Sequence, residues 1–358
     1  MLANRSSSQT VFADQPIYSR GAQMQFLILG GTAWLGGHIV SACVARGHAV
    51  TWLARAASGN ASAGATLIRS DRDLPGAYES VRHKQWDTVI DVSRQPGQVH
   101  EAAAALADRC GTFIFISSSN VYASHEKPNQ DEQAEVLPPL DSDNMPSMAL
   151  YGQAKVACER YVRTALGPNR SLIVRVGLIG GPGDIFDRTG YWPLRFAQAQ
   201  DRHRSVLVPD LPDLSTQVID VRDLSDWIVA SAECKRAGTF NVAGATLPFT
   251  EHIRVARRVA AHQGDIKWAD PRWLTEQGVS PWMGKRSLPL WLPLPTHAGF
   301  SARDTSAAVA AGLLRRSLED TLRDTLAWEL LRDPTRERLA GLLDDDEVEL
   351  LRSLAKAA

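Results

Sequence analysis

At 358 residues the chain is long enough for one large two-lobed domain or two domains sharing a core, and 44% apolar with 22% charged residues excludes a predominantly disordered chain. With 39 basic against 40 acidic side chains the formal net charge is −1, so no bulk field favours nucleic acid or a membrane surface. Cys43, Cys110, Cys158 and Cys234 show no CxxC spacing and the nine histidines form no HxxxH pair, which excludes a disulfide-stapled scaffold, displays no metal set and predicts buried free thiols in a reducing, cytoplasmic compartment.

Residues 1–23 are mostly polar and lack the apolar region of a secretory signal; they read as an extension expected to be disordered, with Met24 the expected natural start. No Asp, Glu, Lys or Arg occurs from residue 21 to residue 45, a stretch long enough to imitate a membrane span. Two Gly-Gly pairs divide it into a strand at 24–29, a glycine turn and a helix at 34–46, so no membrane is expected. Strands follow at 48–54, 66–69, 87–92 and 113–117, with a helix at 98–109 between the last two. A helix at 149–166 stops at Gly167-Pro168, and 171–176 (SLIVRV) is another buried strand. This alternation predicts an α/β Rossmann fold, a doubly wound parallel sheet with right-handed crossovers.

Beyond residue 176 the rhythm becomes irregular. A Gly/Pro loop leads to an aromatic-basic stretch, then a helix near 223–233 and a strand near 239–243. A Pro/Trp-rich segment at 281–295 precedes the helical LEDTLRDTLAWELL. The acidic run 344–347 before LLRSL is explained by the helix macrodipole alone. The division expected is a dinucleotide domain over 24–176, with 217–243 returning to it, and a smaller substrate lobe with C-terminal helices over 177–216 and 244–358.

The turn between the first strand and helix reads GGTAWLGG, residues 30–37. Glycines there permit a tight turn and close backbone approach to a pyrophosphate, whose charge the helix N-terminus favours. Gly30, Thr32, Ala33, Trp34, Leu35 and Gly36 are the candidate cofactor contacts. No acid occupies 48–60, where one would hold a ribose 2′-hydroxyl; Arg55 stands after the second strand, and its guanidinium suits a 2′-phosphate. NADP(H) is therefore expected over NAD(H), with Asp71 a candidate contact at the adenine end.

Tyr151 and Lys155 in YGQAK lie four residues apart on one helix face. A free phenol titrates near 10, and a nearby cation lowers that value, so Tyr151 can exchange a proton with an alcohol or ketone while hydride moves to or from a nicotinamide. The serines at 117–119 end a strand at the sheet's carboxyl edge, where a hydroxyl can orient the same oxygen.

GGTAWLGG, DTVIDV, FIFISSSNVY, YGQAK, RVGLIGGPGD and QVIDVRDL occur in one order over roughly residues 24–330. Together they resemble the extended branch of the short-chain dehydrogenase/reductase superfamily, epimerase/dehydratase-like and atypical. The resemblance implies Ser118, Tyr151 and Lys155 as the catalytic set, with Lys155 also holding the nicotinamide ribose. It further implies a homodimer built on helices 98–109 and 149–166, and a substrate cleft formed by the loop at 181–195. There Arg188, Tyr191, Trp192 and Arg195 are candidate substrate contacts for an anionic or planar small molecule; Arg222 is a further candidate, with a salt bridge to Asp220 or Asp223 as the alternative. Four positions depart from the pattern: Ala33 replaces the middle glycine, Ser119 and Asn120 stand where 4,6-dehydratases carry Asp-Glu, and Val176 replaces a proline.

The leading expectation is an NAD(P)-dependent oxidoreductase acting on a hydroxyl or carbonyl of a small molecule. The alternatives are a nucleotide-sugar epimerase using transient oxidation and a non-catalytic dinucleotide-sensing or RNA-binding relative; the intact Tyr/Lys pair and near-zero charge weigh against the last.

Overall fold

Apolar β-rich runs alternating with helical stretches resolve into a parallel α/β layer structure. The computed structural model describes residues 22–30, 34–55, 64–199 and 204–357. The expectations for residues 1–21, including their disorder, therefore lie outside the described residues. In chain order the first elements are β1 (Gln25–Leu29), α1 (Trp34–Ala45), β2 (Ala49–Ala54), β3 (Ala65–Arg69), β4 (Trp86–Asp91), α2 (Pro96–Leu106), β5 (Cys110–Ser118), α3 (Tyr151–Leu166) and β6 (Ser171–Val176). Then follow β7 (Leu178–Gly180), α4 (Tyr191–Gln198), β8 (Val206–Pro209), β9 (Ser215–Thr216), β10 (Val218–Asp220), α5 (Val221–Glu233) and β11 (Gly238–Val242). The chain ends with β12 (Leu247–Pro248), α6 (Phe249–Val259), β13 (Ile266–Ala269), α7 (Pro271–Glu276), α8 (Ser306–Ala310), α9 (Leu318–Glu329) and α10 (Asp344–Ala357), with two short paired strands preceding α8.

Among the described residues seven strands pair in parallel in the order β11-β6-β5-β4-β1-β2-β3. The order reverses beside β1, where β2 lies on one side and β4 on the other, which opens a crevice at the carboxyl ends of these strands. Residues of β1 and β5 face alternately into two layers: Phe26, Ile28, Ile114 and Ile116 pack with α1 and α5, while Leu27, Leu29, Phe113 and Phe115 pack with α2 and α3. A third core joins α4, β8, α6, α9 and α10 around the fully buried Trp192, Phe196 and Phe249.

The uncharged N-terminal stretch is β1 and α1, and no helix among the described residues is long and apolar enough to cross a membrane. The cysteines are all free, but Cys234 is exposed, at the solvent-facing end of α5, against the expectation of burial. No group of metal-ligating side chains is found among the described residues.

Candidate active site

A cleft of about 1270 Å³ lies at the crevice, walled by the carboxyl ends of the central strands and by the loop after β7. Of the candidates named from the sequence it gathers Gly30, Trp34, Leu35, Gly36, Arg55 and Asp71 at one end and Ser118, Tyr151, Lys155 and Arg188 at the other. A second cavity, about 340 Å³ beside β10 and the start of α9, holds none of them. Thr32 and Ala33 lie outside the described residues.

The cofactor end is organised by backbone geometry. Gly30 has φ +76, a conformation that favours glycine, its N–H donates to Leu53 O at 3.0 Å, and its carbonyl accepts from Trp52 Nε1 at 2.8 Å. Trp34 opens α1 and donates from Nε1 to Pro182 O at 2.7 Å, tying the glycine turn to the loop after β7. Arg55 is exposed at the end of β2, with no acidic partner among the described residues. Asp71 lines the cleft and accepts the N–H of Asp73 at 3.1 Å.

Sequence reasoning missed Arg72. It is buried in the wall of the cleft and forks onto Asp91 through 2.9 and 2.6 Å bonds, with Nε donating to Tyr78 Oη at 2.8 Å. Burial opposes the Arg72 charge, but Asp91 outweighs it and raises the guanidinium above its ordinary value. The available signal was the acid of DTVIDV: a carboxylate ending a buried central strand needs a cation.

At the other end α3 begins against the turn that follows β5. A Cβ on Gly152 would run into the Asn120 carbonyl and come within 2.7 Å of Leu137, so the glycine after Tyr151 lets the helix start press onto the end of the serine strand. The three serines have different duties. Ser117 donates to the buried Glu159 at 2.6 Å, Ser118 lines the cleft with its hydroxyl on Asn120 Oδ1 at 3.0 Å, and Ser119 is buried beside it. Lys155 is 3% exposed and donates to the carbonyls of Ser93 and Ile116, both at 2.7 Å. Its ammonium lies 5.8 Å from the Tyr151 ring centroid, and two of its three N–H groups are used, leaving one for a ligand. The Tyr151 hydroxyl bonds no described residue.

The loop after β7 corrects the expected substrate set. Arg188 lines the cleft, but Tyr191 and Trp192 are 3% and 0% exposed and belong to the third core, where apolar burial claims both rings. Trp192 Nε1 donates to Pro289 O at 2.9 Å, and Tyr191 Oη accepts the Leu342 N–H at 3.4 Å. Arg195 is also buried, held by Glu347 at 2.7 Å and Asp344 at 2.8 Å, so its charge is already neutralised away from the cleft. The acidic run that begins α10 therefore does more than answer the macrodipole: Asp344, Asp346 and Glu347 bind Arg195, Arg204 and Arg286. Arg222 pairs with Asp220 at 2.7 Å and Asp324 at 2.6 Å. Also missed were His125, Trp282 and Phe300, from three separate stretches of chain, which with Phe186 of the expected loop line the cleft together with Arg188.

The sheet order, the glycine turn and this cleft define a dinucleotide-binding Rossmann-type α/β protein. The chain belongs to the NAD dependent epimerase/dehydratase family, whose model matches residues 26–243, and as such is an NAD-dependent enzyme. No curated protein matches the chain. Among solved structures it is similar to UDP-N-acetylglucosamine 4-epimerase from Bacillus cereus, with 14% identity, TM-score 0.61, and coverage of 87% of this chain and 100% of that one. The UDP-N-acetylglucosamine 4-epimerase from Methanobrevibacter ruminantium M1, in complex with UDP-N-acetylmuramic acid, gives 20%, 0.60, and 86% and 99%. The UDP-glucuronic acid 4-epimerase from Bacillus cereus, in complex with NAD, gives 15%, 0.61, and 86% and 100%. At these identities the likeness is one of fold.

Proposed function

We propose that the chain is an NAD(P)-dependent oxidoreductase acting on a hydroxyl or carbonyl of a small molecule through Ser118, Tyr151 and Lys155. The observation that carries this reading is the meeting of these three side chains in one cleft with the glycine turn. The residues fit a dinucleotide: Gly30 turns at positive φ, α1 presents its N-terminus, and Arg55 and one Lys155 N–H remain for ligand. When bound, the nicotinamide supplies hydride exchange. Tyr151 Oη exchanges the proton of the reacting oxygen, Ser118 turns from Asn120 to hold that oxygen, and Lys155 fixes the ribose and places its positive charge beside the phenol.

Replacing Tyr151 with Phe removes only the hydroxyl and is expected to lower turnover by about 100-fold or more. Turnover within about threefold of the parent rules out the proton-transfer role. Arg55 favours NADP(H) through a 2′-phosphate contact, and a fluorescence titration in which NADH binds more tightly than NADPH rejects that preference. A second reading, nucleotide-sugar epimerisation by the same three residues, is supported by the family and by the epimerases that share the fold. Retained cofactor without net redox change favours epimerisation, whereas net NAD(P)H turnover favours oxidoreduction.

A further inference from the structure

Arg188 stands apart from the other buried or half-buried arginines around the cleft. Arg72 is neutralised by Asp91 and Arg175 by Glu159, but the Arg188 guanidinium has neither ion pair nor hydrogen bond among the described residues. It is held by aromatic faces, with its centre 4.8 Å from the Phe186 ring and 5.1 Å from the Trp282 ring. Its Nε is sealed from solvent without a partner, so the two terminal nitrogens are the ones left to face the cleft. The nearby carboxylate of Asp184 is fully buried and engaged by the N–H groups of Phe186 and Thr189 at 2.9 and 3.0 Å and by the Thr189 hydroxyl at 2.8 Å. Asp184 thus shapes the loop that presents Arg188 without forming a salt bridge to it.

A second fixed donor faces the same space. Arg303 is over the Tyr122 ring, 4.2 Å from its centroid, and approaches His125 Nδ1 at 2.5 Å. A guanidinium can only donate, so Nδ1 is the accepting nitrogen and the proton of the neutral ring sits on Nε2. Burial, reinforced by Arg303 and His297, pushes the His125 pKa down to about 4, which keeps this tautomer neutral at ordinary pH. His125 is flanked by Phe300, 5.0 Å away edge to face, and lines the cleft with Arg188 and Tyr151.

We infer that the substrate carries an oxyanion, a carboxylate or a phosphate, seated end-on against the terminal nitrogens of Arg188, with the His125 Nε2–H as a second donor. Arg188 and Tyr151 line the same cleft, so one molecule can present the oxyanion to Arg188 and the reacting hydroxyl to Tyr151. The substrate class is a hydroxy acid or hydroxy phosphate rather than a neutral polyol. This rests on the proposed Tyr151 chemistry for the position of the reacting carbon, but its binding component does not require turnover.

The test is calorimetry on the full chain saturated with NAD(P)+, with matched probes: D-glucuronate, D-galacturonate and D-glycerate against D-glucose, D-galactose and glycerol, and a hexose phosphate as the phosphate arm. At least one acid or phosphate is expected to bind about tenfold or more tightly than its neutral counterpart, the size of one charged hydrogen bond. Arg188→Gln should abolish that advantage, Arg188→Lys should restore part of it, and both should leave cofactor titration unchanged. His125→Phe should weaken the anion by about tenfold, one hydrogen bond to a charged acceptor. The inference is overturned if neutral probes bind as well as the anions, if no anion binds, or if Arg188→Gln keeps the preference. Anion preference that persists while Tyr151→Phe retains full turnover would sink the catalytic reading and leave this one standing.

Discussion

At Asp91 a single carboxylate decides whether the wall of the cofactor cleft tolerates a buried cation. The residue is 0% exposed and engages both terminal nitrogens of Arg72, which itself packs 3.5 Å from where a Cβ on Gly30 would stand. Removing one partner of such a pair leaves an uncompensated charge and costs about 3–5 kcal/mol, whereas replacing both with apolar groups is often neutral. Asp91→Asn is therefore expected to lower the unfolding free energy by that amount and to weaken cofactor binding, while Arg72→Met with Asp91→Leu recovers most of the stability. Denaturant melts of the three proteins check it, and a double variant no more stable than Asp91→Asn refutes it. The acid inside DTVIDV was legible as a residue in need of a cation, although the sequence does not say that Arg72 lies opposite. Tyr191, Trp192 and Arg195 show the converse limit. Aromatic and basic side chains in a loop look alike whether they grip a ligand or lock a lobe, and only the acids 149 to 152 residues further on distinguish Arg195 from Arg188.

The start of α3 shows how an element places chemistry. Gly152 allows the helix to press against Asn120, and Tyr151 and Lys155 take their positions from that contact. Gly152→Ala forces the helix away from the end of β5; a misplacement near 1 Å can cost about 100-fold in rate, and a fall of that order in turnover is expected. Gly37 in α1 supplies the contrast, because a Cβ there meets nothing within 4 Å. Gly37→Ala is expected to raise stability by about 0.5–1 kcal/mol through helix propensity, read as a higher melting temperature. An unchanged rate in Gly152→Ala, or a lower melting temperature in Gly37→Ala, contradicts these assignments. The elements themselves were readable: alternating strands and helices through β6 follow from apolar runs and glycine stops, with ends shifted by a few residues. After β6 they were less so, because short strands such as β7, β9 and β12 are set by tertiary pairing rather than by a periodic run.

The whole molecule joins a parallel sheet to a lobe in which buried Asp187, Glu329 and Glu347 are paired with arginines, and its pH response follows from which buried groups stay paired. Asp187 is 2% exposed and, against the desolvation that opposes its charge, is held below its ordinary value by Arg336, the Leu339 N–H and Arg338; Asp220 is likewise held low, by Arg222 and Arg316. These lowered carboxyls contribute stability above their unfolded pKa, near 4, and lose it as pH falls through the folded value. His252 acts earlier. It is 0% exposed, its Nε2 has no partner, and burial pushes its pKa down to about 4. As pH falls below the unfolded value near 6.5, the unfolded chain takes up a proton that the folded chain refuses, so stability rises with pH over this window and drops on acidification. For His252 the loss approaches about 3 kcal/mol by pH 4, and His125, with its similarly lowered value, adds to it. Thermal melts at constant ionic strength should therefore decline in two stages: a first between about pH 6.5 and 4 from the imidazoles, and a second below it from the carboxyls. His252→Gln, which does not titrate, is expected to flatten the first stage and leave the second; an unchanged slope between pH 6.5 and 4 in that variant refutes the assignment to His252.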